Sequence, residues 1–406
     1  MRELTIRGRC FVAAGIAAVI CGIQVGEHDF VRIGLLAAGV PVLSWLLIRR
    51  TQREVWVRRT LSATQVEAGE PAEVQLDVGC AGDRKTGQLL LEEALPAELG
   101  EPQRFALEPL GPGHQQTLRY LIRTPHRGRY PIGPVQVRVA DPTGMADLHQ
   151  DISSTGSLLV TPRTEPLPRI ALTGRWAGAG DDRTRELVGS GSPDVTIREY
   201  RLGDDLRRIH WPSSARTDEL MVRREEQQWQ SRCTLLIDNR RVAHRGYGTA
   251  SSMERAVSVA ASISRALVDL DFEVRLVTAT DDSSTHAEGF KGGAGMAEQL
   301  ERLALLNMTR REQLSTGWVD ESQQGGMIMA VLGHLQSTDR ELMAGLATAG
   351  ATAYAVVLDV STWERAGRNT DHEEPPPTAW LRAHGWKATT LTRTGALPAA
   401  WQELSR

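Results

Sequence analysis

The chain has 406 residues, 41% hydrophobic and 24% charged, with 47 Lys and Arg against 50 Asp and Glu for a formal net charge of −3. That balance belongs to an ordinary globular protein and excludes both a disordered chain and one built mostly of membrane spans. It also excludes a global electrostatic hold on nucleic acid, so any basic patch must be local.

Two apolar runs open the chain, "CFVAAGIAAVICGIQV" (Cys10 to Val25) and "IGLLAAGVPVLSWLLI" (Ile33 to Ile48). Each approaches the length of about 17 residues that a helix needs to cross a bilayer. Arg2, Arg7 and Arg9 precede the first run, Arg49, Arg50 and Arg53 follow the second, and the connection "GEHDFVR" is mildly acidic. The positive-inside rule then puts both ends in the cytoplasm, and Trp45 suits an interfacial belt. No small-residue cleavage site separates the runs, and neither has a polar face for water. A transmembrane helical hairpin over residues 1–52 is expected, with two short spans in the cell membrane and all that follows cytoplasmic.

Residues 53–162 read as strands. "AEVQLDV", "QTLRYLIRT" and "VQVRVAD" alternate apolar and polar residues, and "AGEP", "GPGH" and "DPTG" are turn chemistry. With no helical segment between them they predict an antiparallel β-sandwich of immunoglobulin-like kind. His114, His126 and His149 are isolated within it and have no catalytic spacing.

A Gly-, Pro- and Arg-rich linker is expected over 163–196, then an α/β domain over 197–406. The runs "CTLLID", "EVRLVTA", "GMIMAVL", "AYAVVLD" and "WKATTL" alternate with amphipathic segments such as "SSMERAVSVAASISRALVDL". That is the pattern of a doubly wound, mostly parallel sheet, so the chain as a whole is a multidomain α+β protein. Ligands of such sheets sit beyond the carboxyl ends of the strands, which singles out Asp238 at the end of the first. The following "DNRRVAHRGYG" holds neither GxGxxG nor GxxxxGK[ST], so the usual nucleotide loops are missing. The four cysteines, Cys10, Cys21, Cys80 and Cys233, form no CxxC pair or cluster with histidine.

Chemistry-bearing residues concentrate in "IREYRLGDDLRRIHWPSSAR" (Ile197 to Arg216). Asp204, Asp205 and His210 offer acid–base groups, and Tyr200 and Trp211 among arginines offer base stacking. The carboxylates Glu199, Asp204 and Asp205 largely offset the arginines, which argues against a nucleic-acid patch. Arginine neighbours keep carboxylates ionised and occupy their lone pairs, which suits a structural brace. Gly203 permits a tight turn, an aspartate can cap a helical turn through Leu206 to Ile209, and Pro212 helps to end it. Exposed Arg207, Arg208 and Trp211 are then the candidates for docking a partner.

This stretch resembles the signature of the bacterial family called "domain of unknown function 58". The residues that carry the resemblance are Arg198-Glu199-Tyr200, Gly203-Asp204-Asp205, Arg208-Ile209-His210-Trp211 and Ser214-Ala215-Arg216. "RGRYPIGPVQVRVADPTGM" is similar to a further segment of the family, while His210 and Pro212 depart from its usual aspartate and lysine. The resemblance implies a von Willebrand factor A-like α/β domain, a protein-binding adaptor and not an enzyme. It also implies association with a MoxR-type AAA+ ATPase, and with a transglutaminase-like membrane protein, in assembly or maturation of envelope or enzyme complexes. The metal site of that fold is built on Asp-x-Ser-x-Ser. Here the segment reads Asp238-Asn239-Arg240-Arg241-Val242, so only Asp238 is retained and no metal or other cofactor is expected. The competing expectation is a metal-dependent hydrolase using Asp204, Asp205, His210 and Asp238.

Overall fold

The computed structural model describes residues 4–52, 55–82, 85–140, 143–152, 155–172, 196–199, 211–217, 219–224, 232–281, 292–315, 317–319, 326–348, 352–364 and 376–405. The chain divides into two compact units, Met1–Thr161 and Pro162–Arg406.

The first unit opens with α1 (Ile6–Val25) and α2 (His28–Gln52), which extend beyond the apolar runs at both of their outer ends. Thr5 caps α1 through a hydrogen bond accepted from the Gly8 N–H, and Gly26 at φ 79° ends it in the left-handed region. Both helices are long and apolar enough to cross a membrane. They touch backbone to backbone. A Cβ built on Gly15 would lie 2.6 Å from the Gly34 carbonyl oxygen, so only glycine permits this approach. The larger side chains, among them Phe11, Ile16, Ile20, Ile33, Leu36 and Leu43, point outward and are exposed.

Ten strands follow: β1 (Val55–Leu61), β2 (Gln65–Glu67), β3 (Pro71–Cys80), β4 (Gln88–Glu93), β5 (Gln103–Leu107), β6 (Gln115–Arg123), β7 (Gly128–Ile132), β8 (Val135–Ala140), β9 (Asp147–Ile152) and β10 (Gly156–Thr161). They form sheets of order β1-β3-β6, β2-β10-β7 and β5-β4-β8-β9. Alternation does what the sequence predicts: Val74, Leu76 and Val78 of β3 are fully buried in a core shared with Leu89, Leu91, Ile132 and Val137. The pairing is antiparallel apart from β2 with β10, which run parallel. One ion pair lies inside this core. Glu93 accepts from Arg59 Nε at 2.6 Å and from the Tyr120 hydroxyl, joining strands of two sheets, and burial followed by that hydrogen bond raises the Tyr120 pKa.

The second unit begins with a strap. Residues 163–172, within the stretch read as linker, lie against the α/β core: Leu172 is buried there and Pro168 accepts a hydrogen bond from the Trp401 indole at 2.9 Å. β11 (Thr196–Glu199) pairs antiparallel with β12 (Met221–Arg224), and α3 (Trp211–Thr217) lies between them in sequence. Pro212 stands in the first turn of α3, with Trp211 before it already helical. Its missing N–H has no intrahelical partner to lose there. The expected turn from Leu206 to Ile209 lies outside the described residues.

The sheet then takes β13 (Arg232–Ile237), α4 (Ser252–Val268), β14 (Glu273–Thr278), α5 (Gly292–Leu305), β15 (Met327–Leu332), α6 (Ser337–Thr348), β16 (Thr352–Leu358), α7 (Thr378–Ala383), β17 (Lys387–Leu391) and α8 (Leu397–Glu403). Its five strands are all parallel, in the order β14-β13-β15-β16-β17. Both faces are covered, which explains why the strands read as unbroken apolar runs. Leu235, Ile237, Met329 and Val331 face α4, α5 and α8, while Leu236, Ile328, Ala330 and Leu332 face α6 and α7.

Candidate functional site

The strand order places a topological switch point between β13 and β15. The chain leaves β13 toward β14 on one side and returns to β15 on the other, so the loops at their carboxyl ends diverge. Ligands of open α/β sheets bind in that crevice. Asp238 follows β13 directly, held by its N–H on the Val331 carbonyl at 3.0 Å, and Asp339 lies in the first turn of α6, after β15.

Arg240 fills the space between these two carboxylates. Its Nε donates to Asp238 Oδ1 at 2.9 Å, and its Nη2 to Asp238 Oδ2 and Asp339 Oδ2, both at 2.8 Å. Its Nη1 donates to Asp339 Oδ1 at 2.9 Å and to the Glu312 carbonyl at 2.6 Å. A guanidinium has five N–H donors, and these five bonds use all of them. The side chains are 0% exposed for Arg240 and Asp238 and 2% for Asp339. Burial works against the Arg240 charge, but hydrogen bonds and attraction from Asp238 and then Asp339 outweigh it, and the pKa is raised.

The surrounding loops are tied with similar completeness. Asn239 donates to the Asn307 carbonyl at 2.8 Å and accepts from the Ala279 N–H at 3.1 Å. His244 meets the Asp238 carbonyl through Nε2 at 2.5 Å and Ser252 Oγ through Nδ1 at 3.1 Å. Because Nε2 faces a carbonyl it carries the proton, so Nδ1 accepts from the Ser252 hydroxyl. Burial lowers the His244 pKa, and the positive charges of Arg240 and Arg245 add to that. Both His244 and Ser252 are buried, at 6% and 0% exposed, so this pair offers no nucleophile to a substrate.

The divalent cation that the family resemblance implies does not fit this arrangement. A hard cation needs about six oxygen ligands around an open centre. Here the centre is occupied by a guanidinium, and both Asp238 oxygens already serve it. Among the described residues no group of three or more His, Cys, Asp or Glu is placed to hold a metal.

Of the residues singled out in the sequence, Asp238 stands at the switch point, and Arg240 of the departing metal motif lies between Asp238 and Asp339. Trp211, at the start of α3, is 66% exposed. Arg216 is exposed in the last turn of the same helix. Arg198 and Glu199 lie on β11, paired with Val222 and Met221. Tyr200, Gly203, Asp204, Asp205, Arg207, Arg208 and His210 lie outside the described residues. Sequence reasoning missed Asp339, His244 and Ser252. For Asp339 the available signal is an acidic residue in the first turn of the helix that follows a buried strand.

The family whose description reads "Protein of unknown function DUF58" matches residues 196–346. Residues 196–346 are a DUF58 segment. The match runs from β11 into α6, so Asp238, Arg240 and Asp339 all fall within the DUF58 segment. Among solved structures, the chain is similar to the CARDB domain of a Pyrococcus furiosus protein. The identity there is 16%, over 26% of this chain and 87% of that one, with a TM-score of 0.21. It is also similar to a cohesin module from a Clostridium perfringens family 33 glycoside hydrolase, at 13% identity over 26% and 96% of the two chains and a TM-score of 0.20. Alpha-2-macroglobulin of E. coli matches at 16% identity over 36% of this chain and 8% of that one, with a TM-score of 0.21. Likenesses of this size carry nothing about function. No curated protein matches the chain.

Proposed function

We propose that this DUF58 protein is a membrane-anchored, protein-binding adaptor. Its β-rich unit is read as an immunoglobulin-like sandwich and its α/β unit as von Willebrand factor A-like. The partner is a MoxR-type AAA+ ATPase, alongside a transglutaminase-like membrane protein, and the work is assembly or maturation of envelope or enzyme complexes on the cytoplasmic side of the cell membrane. The observation that carries the reading is the filled switch point. The crevice where a sheet of this order takes a ligand is occupied by the chain's own Arg240, whose donors are all used. What the unit offers outward is surface, including Trp211 at 66% exposure in the signature segment. Exposed tryptophan and arginine are the residues that most often anchor protein interfaces. The competing hydrolase reading needs Asp238 as a ligand or base, and nothing in the described residues favours it.

The test is co-purification of the full chain from its native membrane, as wild type and with Trp211→Ala or the pair Arg207→Glu and Arg208→Glu. An anchor residue at an interface is worth on the order of 2 kcal/mol, so recovery of the ATPase should fall by at least about tenfold. Equal recovery by all forms removes the signature segment as the docking surface. If the wild type recovers no ATPase, the adaptor reading itself is overturned.

A further inference from the structure

The Asp238–Arg240–Asp339 cluster has the geometry of a cation site whose cation belongs to the chain. We propose that Arg240 is a built-in substitute for a divalent metal ion, and that shortening it opens a site for a hard divalent cation between Asp238, Asp339 and the Glu312 carbonyl. This does not depend on the adaptor reading.

Three features of the cluster carry it. First, the donor set is oxygen only. All four carboxylate oxygens and the Glu312 carbonyl converge on one guanidinium, while the nearby imidazole of His244 is turned to the Asp238 carbonyl and to Ser252. Oxygen-only sets select magnesium, calcium or manganese over zinc. Second, the two carboxylates are held by bonds that do not involve the Arg240 side chain. Asp238 accepts the Arg240 backbone N–H at 3.0 Å, and its own N–H and carbonyl are fixed by Val331 and His244. Asp339 Oδ2 accepts the Gln336 N–H at 3.1 Å at the start of α6. They would therefore keep facing the same point with the guanidinium gone. Third, both are buried, so removing the cation leaves two like charges out of water with nothing between them. A metal ion relieves that, since an uncompensated buried charge is far costlier than a paired one.

The consequence for the native protein is that the crest of the sheet is set without metal. An arginine keeps its proton at every pH a folded protein meets. With every Arg240 donor committed to the chain's own oxygens, a partner's carboxylate has nothing to coordinate at this crevice, and docking at this end of the sheet is indifferent to chelators.

The experiment uses the full chain in detergent as wild type, Arg240→Ala, Arg240→Lys and the double variant Arg240→Ala with Asp339→Asn. Thermal unfolding is followed in EDTA and with Mg2+, Ca2+ or Mn2+, with NaCl matching the ionic strength, and Mn2+ binding is read by electron paramagnetic resonance. Wild type should bind no Mn2+ through this cluster and show one midpoint in all conditions. Arg240→Ala should unfold earlier in EDTA and recover by about 5–10 °C when the ion stands at about 100 times its Kd. The double variant should not recover. Arg240→Lys, with one charge and three donors in no planar fork, should fold with a lowered midpoint and ignore metal. If Arg240→Ala needs an ion to fold at all, recovery of folded protein on refolding with Mn2+ becomes the readout. The proposal is overturned by a folded Arg240→Ala indifferent to all three ions, by its failure to refold with any of them, or by equal recovery of the double variant. A wild type that EDTA destabilises, or an Arg240→Lys as stable as wild type, overturns it as well.

Discussion

His244 shows how the locked crest responds to pH. The imidazole is buried, its Nε2–H is committed to the Asp238 carbonyl, and its pKa is lowered from 6.5, chiefly by burial. In the unfolded chain the same group protonates as pH falls through about 6.5. Between that pH and the lower pKa of the folded state the unfolded chain binds more protons, so stability falls on acidification and returns on raising the pH. Denaturant unfolding between about pH 7.5 and pH 5 should show that loss. His244→Asn should remove the part of the slope due to this group, while costing about 1–3 kcal/mol at neutral pH for buried polar partners left unsatisfied. An unchanged slope in the variant would mean that His244 is not the titrating group. At this scale the sequence was half legible. Asp238 stood out because it closes a buried strand, and Arg240 because it interrupts a metal motif. Asp339 could not be linked to them, since it lies 99 residues from Arg240 and meets it only through the order in which the strands assemble.

Among the elements, α1 and α2 make the most exacting contact. A Cβ on Gly15 would meet the Gly34 backbone at 2.6 Å, whereas one on Gly39 of the same hairpin would find nothing within 4 Å. Gly15→Ala should therefore force the helices apart at about 1–3 kcal/mol, the usual cost of overpacking, while Gly39→Ala should be neutral or slightly stabilising. Thermal unfolding in detergent separates the two, and an equal effect of both substitutions would contradict the close packing. The helices and the strands of the parallel sheet were readable because burial imposes their patterns: unbroken apolar runs for strands covered on both faces, a period of 3.6 for α4 and α5. Elements too short to carry a period were not. β2 has three residues, Gln65–Glu67, and nothing in them announces a parallel partner in β10. In α3, Pro212 stands in the first turn of a helix that the sequence did not announce, because the fixed φ of proline suits a first turn and forbids a helix interior.

For the molecule as a whole, the decisive connection is the one between the helical hairpin and the β-rich unit. Among the described residues, hydrogen bonds tie the two directly. The Thr5 N–H donates to the Met145 carbonyl at 3.0 Å and its hydroxyl to the Gly144 carbonyl at 2.8 Å, Leu4 bridges to Ala146, and Ser44 of α2 meets Thr143 at 3.3 Å. Trp45, read in the sequence as an interfacial residue, is partly buried against the β core. At 1.5 Å per residue the 20 residues of α1 measure about 30 Å, the thickness of a bilayer's hydrocarbon core. If α1 spans, the turn at 143–146 must then lie at the membrane surface. The opposite end of the unit must stand away from it. Val55, three residues beyond α2, pairs with Cys80 at one end of β3, so Glu70 at the other end lies about 30 Å further on. Fluorophores on Thr143→Cys and Glu70→Cys, in full-length protein with the exposed Cys10 and Cys21 replaced by serine, report the difference in nanodiscs carrying nitroxide-labelled lipid. Strong quenching is expected at position 143 and little at position 70. Equal quenching at the two would show the β-rich unit lying flat on the bilayer or the hairpin not inserted, and protection of the two helices from protease in the same discs tells those outcomes apart.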